Sequence, residues 1–214
     1  MKGKKTIGIY PLLVDDSCCL LSADFDKKTW QEDSLAFLAT CQRARIPAYL
    51  ERSRSGNGGH VWIFFASPVP TVLARKMGCA LLTQTMERRH QVGLDSYHRF
   101  FPNQDTLPKG GFGNLIALPL QWMPRQNGNS LFVDDDLRPY PDQWQLLLSI
   151  QRVAADQVEW VVNDATRRDQ VMGVRFSITD DADGAPWNLV PSKGIVRNRS
   201  QGPSRSPLRS YEAT

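Results

Sequence analysis

The chain is poor in the residues that would make a metal-stapled, disulfide-bonded or membrane protein. Of its four cysteines, Cys18, Cys19, Cys41 and Cys79, none shows the C-x-x-C spacing. Adjacent Cys18 and Cys19 point to opposite faces of a strand and cannot readily share a partner. The four read as small apolar thiols, and neither structural zinc nor a disulfide framework is expected. No apolar run approaches the roughly 18–20 residues that cross a bilayer. The basic start, Met1 to Lys5, is followed only by short apolar runs broken at Asp15-Asp16, which is not the form of a signal peptide. A cytoplasmic protein with no membrane partner is expected. Net charge is also missing from the body. Lys193, Arg197, Arg199, Arg205 and Arg209 against Glu212 carry the whole formal excess of +4, leaving 21 basic and 21 acidic residues before position 192. Global charge thus gives no reason for the body to bind nucleic acid.

Two groupings stand out among what is present. Asp24-Phe25-Asp26 closes the apolar run Cys18-Cys19-Leu20-Leu21. Side chains at i and i+2 of a strand share a face, roughly 6.5 Å apart along it, so the two carboxylates can aim at one point. Such a pair repels by on the order of 4 kcal/mol at about 4 Å and an effective dielectric of 20, and so takes up a proton or a cation. The second grouping is Ser55-Gly56-Asn57-Gly58-Gly59-His60, followed by the apolar run Val61-Trp62-Ile63-Phe64-Phe65. Gly-Asn-Gly-Gly is ordinary hairpin material. Here it also offers a hydroxyl, close-approaching backbone N–H groups and an imidazole, with Arg52 and Arg54 just before it, which suits phosphate. Divalent metal with phosphate is nucleotidyl-transfer chemistry.

Other acidic groups read more plainly. Asp134-Asp135-Asp136 and Asp180, Asp181 and Asp183 have the form of solvated turns, and Asp95 and Asp105 are candidates for a third carboxylate. Of the six tryptophans, most fit core or helix-start packing.

The elements alternate. Thr6 to Val14 reads as an edge strand and Cys18 to Asp26 as a strand. Thr29-Trp30-Gln31-Glu32 has capping-box spacing before a helix with Trp30, Ser34, Phe37, Leu38 and Cys41 on one face. Strands are expected at 48–51, 61–66, 97–101, 114–120 and 130–133. Helices are expected at 71–90 and from Pro141 to about Ala155, and 159–162 and 171–178 fit short strands or peripheral helix. Helices falling between strands give an α/β (α+β) fold with one mixed sheet or two small ones. Residues 1–155 are expected to form the catalytic domain, 156–191 a peripheral extension and 192–214 a basic disordered tail.

The order of these motifs carries a resemblance. Asp24-x-Asp26, then Leu50-Glu51-Arg52-Ser53-Arg54-Ser55-Gly56-Asn57-Gly58-Gly59-His60, then Phe101-Pro102-Asn103-Gln104-Asp105 and Gly113-Asn114-Leu115-Ile116-Ala117-Leu118-Pro119 resemble the archaeo-eukaryotic primase superfamily, and within it the primase domain of TOTE conflict systems. The resemblance runs over roughly residues 7–155. It implies an N-terminal α/β unit with an RRM-like unit, and a template-dependent nucleotidyltransferase, a DNA primase or primase-polymerase. Such an enzyme uses nucleoside triphosphates with two Mg²⁺ or Mn²⁺ ions in a mobile-element or phage conflict system. Asp24 and Asp26 match the metal-binding first motif. His60 with Ser55 matches the second, which holds the triphosphate, and Arg52, Arg54, Asn57, Gly58 and Gly59 would join it. The family's third motif is a hydrophobic residue followed by an acid; this chain has Tyr97-His98, leaving the third ligand open between Asp105 and His98. The chain has no Walker-type G-x-x-x-x-G-K-[S/T] motif. A helicase and nuclease would therefore be partners. The alternative is a catalytically degenerate nucleic-acid-binding module that recruits them.

Overall fold

The computed structural model of the chain describes residues 5–89, 94–107 and 109–168. Its elements are β1 (Gly8–Ile9), β2 (Ser17–Phe25), α1 (Trp30–Arg43), β3 (Tyr49–Arg52), β4 (Gly59–Pro70), α2 (Thr71–Arg89), β5 (Tyr97–Phe101), β6 (Ile116–Ala117), α3 (Trp122–Arg125), β7 (Leu131–Val133), α4 (Gln143–Ser149) and α5 (Ala155–Arg167). A five-stranded sheet has the order β5-β2-β4-β3-β7, and β1 pairs with β6 in a separate ribbon. All named pairings are antiparallel, and one parallel bridge joins Phe65 to Val153.

The run β2-α1-β3-β4-α2-β5 is a β-α-β-β-α-β unit. β2 and β3 run parallel with β4 between them, and β4 and β5 run parallel with β2 between them. This is the split β-α-β arrangement, with the sheet order of an RRM-like unit. β2 and β4 are thereby the inner strands, clad on both faces, which is why β2 is buried along most of its length. On one face Leu21, Ala23, Phe25, Val61 and Ile63 pack under α1, α2 and α5. On the other, Leu20 and Trp62 pack with Ile116 and Phe132.

Several elements differ from the sequence expectation. Thr29 precedes α1 but caps no helix N–H; its hydroxyl donates to Asp33 Oδ2 at 3.0 Å instead. Glu32 stays exposed and reaches Arg89 at 3.7 Å. The capping box gives way because buried Asp33 offers a stronger acceptor. The expected edge strand 6–14 shrinks to Gly8–Ile9, and the expected strand 114–120 to Ile116–Ala117. Around them the Gln121 side chain, not a ladder, holds the chain: it accepts from Ile7 N and donates to Ile7 O and Leu118 O.

The helix expected to run to about Ala155 stops at Ser149. Ile150 turns extended, and Val153 exchanges two 2.8 Å hydrogen bonds with Phe64 and Ala66 of β4. Pairing to the sheet outweighs two more turns of helix. Residues 159–162 then fall inside α5, whose Val158, Val161, Val162 and Ala165 join the helix-side core. Residues 156–168 of the expected peripheral extension therefore lie in the packed body. The segment 171–178, Asp180 to Asp183 and the basic tail lie outside the described residues.

Candidate active site

Strand register builds the site. Glu51 pairs with His60 across β3 and β4, His60 with Asp24 across β4 and β2, and Asp24 with Arg99 across β2 and β5. Residues directly opposite each other share a face of the sheet, so one transverse row carries a carboxylate, an imidazole, a second carboxylate and a guanidinium. The row lies on the face opposite α1 and α2, where β2 and β4 end at Phe25 and begin at Gly59. His60 Nε2 is 3.5 Å from Asp24 Oδ1, and His60 Nδ1 is 3.0 Å from Glu51 Oε2.

A bulge adds the next member. Phe25 pairs with Tyr97 and Asp24 with Arg99, so His98 is the extra residue on β5. Bulges re-aim side chains in this way. His98 Nδ1 lies 3.3 Å from Asp24 Oδ2 and 3.5 Å from Asp26 Oδ2. Asp24, Asp26 and His98 bring one ligand atom each within 4.8 Å of one another. Two carboxylate oxygens and one ring nitrogen at this spacing fit a divalent ion. Arg99 Nη2 sits 2.8 Å from His98 Nε2. Ligation through Nδ1 leaves Nε2 protonated, so Arg99 has to swing off it.

The charges of the row act on one another. Burial pushes the Asp24 carboxyl above its ordinary value; His60 opposes the shift, Asp26 adds to it, and His98 opposes it. Burial acts to lower the His60 pKa, but the hydrogen bond and charge of Glu51, with Asp24 and Asp26, outweigh it and leave the imidazole above its ordinary value. A crowded, partly desolvated carboxylate pair of this kind gains from a cation.

The glycine-rich segment is the tight connection between β3 and β4. Ser53 N donates to Gly58 O and Gly56 N to Ser53 O. Gly56 sits at φ +80°, a conformation that suits glycine. A Cβ on Gly58 would come within 2.6 Å of the Phe25 carbonyl, so the loop rests directly on the backbone of the acidic pair. Ser55 Oγ is 3.1 Å from Ser53 Oγ and accepts from Asn57 N at 3.2 Å. Ser55 and Asn57 are exposed on this loop.

Three of the residues expected at the site are engaged elsewhere. Asp105 Oδ1 is 2.6 Å from Arg75 Nη1 on α2 and is not a member of the ligand cluster. Arg52 donates to the carbonyls of Gly128 and Leu137, pinning the end of β3 to two loops, and Arg54 donates to Thr6 Oγ1. Asp95 is exposed, its carbonyl accepting from Lys27. Asp134 caps its own turn through Asp136 N and Arg138 N. Trp30 and Trp62 are buried, whereas Trp122, Trp144 and Trp160 are exposed.

Sequence reasoning missed Glu51. It is 2% exposed and accepts from Trp62 Nε1 at 2.9 Å and Ser130 Oγ at 3.3 Å besides facing His60. Hairpin register could have found it. Closing the loop with Arg52 opposite Gly59 forces Glu51 opposite His60.

An RRM-like sheet with two carboxylates at the end of one strand, beside an imidazole on its neighbour, is the arrangement expected of the archaeo-eukaryotic primases, a class of nucleotidyltransferases. The family model of the TOTE conflict system archaeo-eukaryotic primase domain matches residues 1–161. The chain belongs to that family. No curated protein matches the chain.

Proposed function

We propose that the chain is a template-dependent nucleotidyltransferase, a DNA primase or primase-polymerase that joins nucleoside triphosphates on a DNA template with Mg²⁺ or Mn²⁺. The observation that carries this reading is the pairing of Asp24 with His60, which sets acid and imidazole on one face beside the glycine loop. Asp24, Asp26 and His98 would hold divalent metal, which when bound supplies Lewis acidity to the attacking hydroxyl and the departing pyrophosphate. His60, with Ser55, Asn57 and the backbone of Gly58 and Gly59, would bind the triphosphate. Asp24, set on an inner strand, with Asp26 directly after the end of that strand, would keep its oxygens in place without reorganisation. The basic tail would add salt-dependent DNA contacts, and a helicase and a nuclease of the same conflict system would be its working partners.

The test is template-directed incorporation by the wild type and by an Asp24→Ala/Asp26→Ala double variant. Equal incorporation ends the proposal. One observation favours a second reading, a degenerate nucleic-acid-binding module: the third converging donor is an imidazole where the family pattern has an acid. Retained single-strand binding without divalent-metal binding would decide for it.

A further inference from the structure

We propose that Glu51 is a positioning residue that fixes which ring nitrogen of His60 meets substrate. The inference rests on the reading that His60 holds the triphosphate.

Glu51 is almost fully buried, yet its carboxylate is furnished with donors on both oxygens. Oε1 takes the Ser130 hydroxyl, and Oε2 takes the Trp62 indole N–H and faces His60 Nδ1 at 3.0 Å. An ionised carboxylate only accepts hydrogen bonds. The proposed tautomer carries the proton on His60 Nδ1, where it completes a carboxylate already taking two donors, and leaves Nε2 as the nitrogen that faces Asp24. A ring turned over would present carbon to Oε2 and strip a buried carboxylate of one of its three donors, which is costly. The Trp62 ring meets the His60 ring edge-on, 6.0 Å between centroids, and closes the remaining side. Glu51 thus stands to His60 as an outer carboxylate stands to a metal-bound histidine: it sets tautomer and orientation without touching the ligand.

A purely architectural Glu51, anchoring Trp62 and Ser130, would predict something different. The discriminating experiment measures binding of a non-hydrolysable deoxynucleoside triphosphate with Mn²⁺ to the full chain and to Glu51→Gln, Glu51→Met, His60→Ala and Glu51→Met/His60→Ala. Gln keeps an acceptor at the same place and should stay close to wild-type affinity. Met removes it and should weaken binding by about tenfold, at the lower end of what outer-shell changes cost. The double variant should bind no more weakly than His60→Ala, because Glu51 acts only through the ring. A Glu51→Met variant with wild-type affinity, or a double variant that loses both factors in full, overturns the positioning role.

A second measurement needs no variant to fold. In the ¹⁵N spectrum of the wild type, His60 Nδ1 should be protonated whatever the state of Nε2. A bare Nδ1 overturns the proposal. Should His60→Ala itself bind as well as wild type, the triphosphate reading falls and the positioning role with it. A weakened His60→Ala beside an unaffected Glu51→Met sinks the positioning role alone.

Discussion

Asp105 offers the sharpest separation of a fold role from a metal role. The sequence leaves it level with His98 as third ligand; the structure sets its carboxylate 2.6 Å from Arg75 with side chains only 12% and 17% exposed. Replacing Asp105 with Ala strands the Arg75 guanidinium in a partly dry pocket, where its Nε already lacks a partner. Breaking one side of a fully buried pair costs about 3–5 kcal/mol, and an exposed pair contributes about 0–1 kcal/mol. This pair lies between the limits, so the loss should be about 2 kcal/mol. For a chain of this size about 1 kcal/mol moves the melting temperature by roughly 2–4 °C, so the variant should melt about 4–8 °C lower. Removing both charges, with Asp105→Leu/Arg75→Met, should recover most of that loss, since apolar replacement of a whole pair is often neutral. Mn²⁺ binding, followed by the loss of the free-ion signal in electron paramagnetic resonance, should stay unchanged in both variants. An Asp105→Ala protein that melts like wild type and no longer binds Mn²⁺ would refute the reasoning and return Asp105 to the metal.

Three further outcomes follow from the same geometry. Asp33 takes the Arg89 guanidinium, the Ser96 N–H and hydroxyl, and the Thr29 hydroxyl, tying α1 to α2 and to the entry of β5. Asp33→Ala should cost about 3 kcal/mol in urea unfolding, and a loss below about 1 kcal/mol would show that these contacts are dispensable. With its pKa raised by Glu51, Asp24 and Asp26, His60 contributes stability that is complete below pH 6.5 and drains as pH rises through its raised value. Asp24, also raised, loses stability as pH climbs from 3.8, where the unfolded carboxyl ionises, to its raised value, and its cost is constant beyond that, so each group loses stability with rising pH over its own window. The metal-free protein should therefore lose stability as pH rises above 6.5, and His60→Gln should flatten that slope; an unchanged slope would remove His60 from the account. Finally, His98→Asp should raise Mg²⁺ affinity relative to Mn²⁺ by on the order of tenfold, since Mg²⁺ prefers oxygen donors. Competition titration measures the ratio, and an unaltered ratio would place His98 outside the metal shell.

Local pattern made much of the unit legible. β2, α1, the β3–β4 hairpin, α2 and β5 are each bounded by their own turn and breaker residues, and the buried face of α1 is the one that the spacing of Trp30, Phe37, Leu38 and Cys41 marks. The closeness of Asp24 to His60 and to Asp26 was legible for the same reason, because these residues sit where strands start or stop. Contacts between distant segments were not. The end of α4 is set by Val153 pairing with β4, and no helical period contains that partner. Arg52 and Arg54 read as phosphate ligands by charge alone, but carbonyls at Gly128 and Leu137 and the Thr6 hydroxyl, 48 to 85 residues away in sequence, take their donors. Glu51 looks like any charged residue on a short strand until the sheet supplies Trp62 and Ser130. His98 becomes a neighbour of both aspartates only through a bulge.

Asp24 explains why these pieces form one site rather than two. Its Oδ1 faces His60 and its Oδ2 faces His98, so a single carboxylate divides its two oxygens between the imidazoles of two neighbouring strands. An amide in its place would keep one acceptor and turn an N–H₂ donor on the other ring. Whichever way that amide settled, one of the two histidines would face an N–H₂ group in place of a carboxylate oxygen. The division also depends on a backbone that does not shift. β2 is hydrogen-bonded to both β4 and β5, the strands that carry His60 and His98, and its Phe25 carbonyl lies against Gly58 of the loop. The glycine loop and the Asp24–Asp26–His98 group are thus held in register by one segment, Ala23 to Asp26. A change that displaced that segment would spoil both, whereas a change in either histidine alone would spoil only its own half.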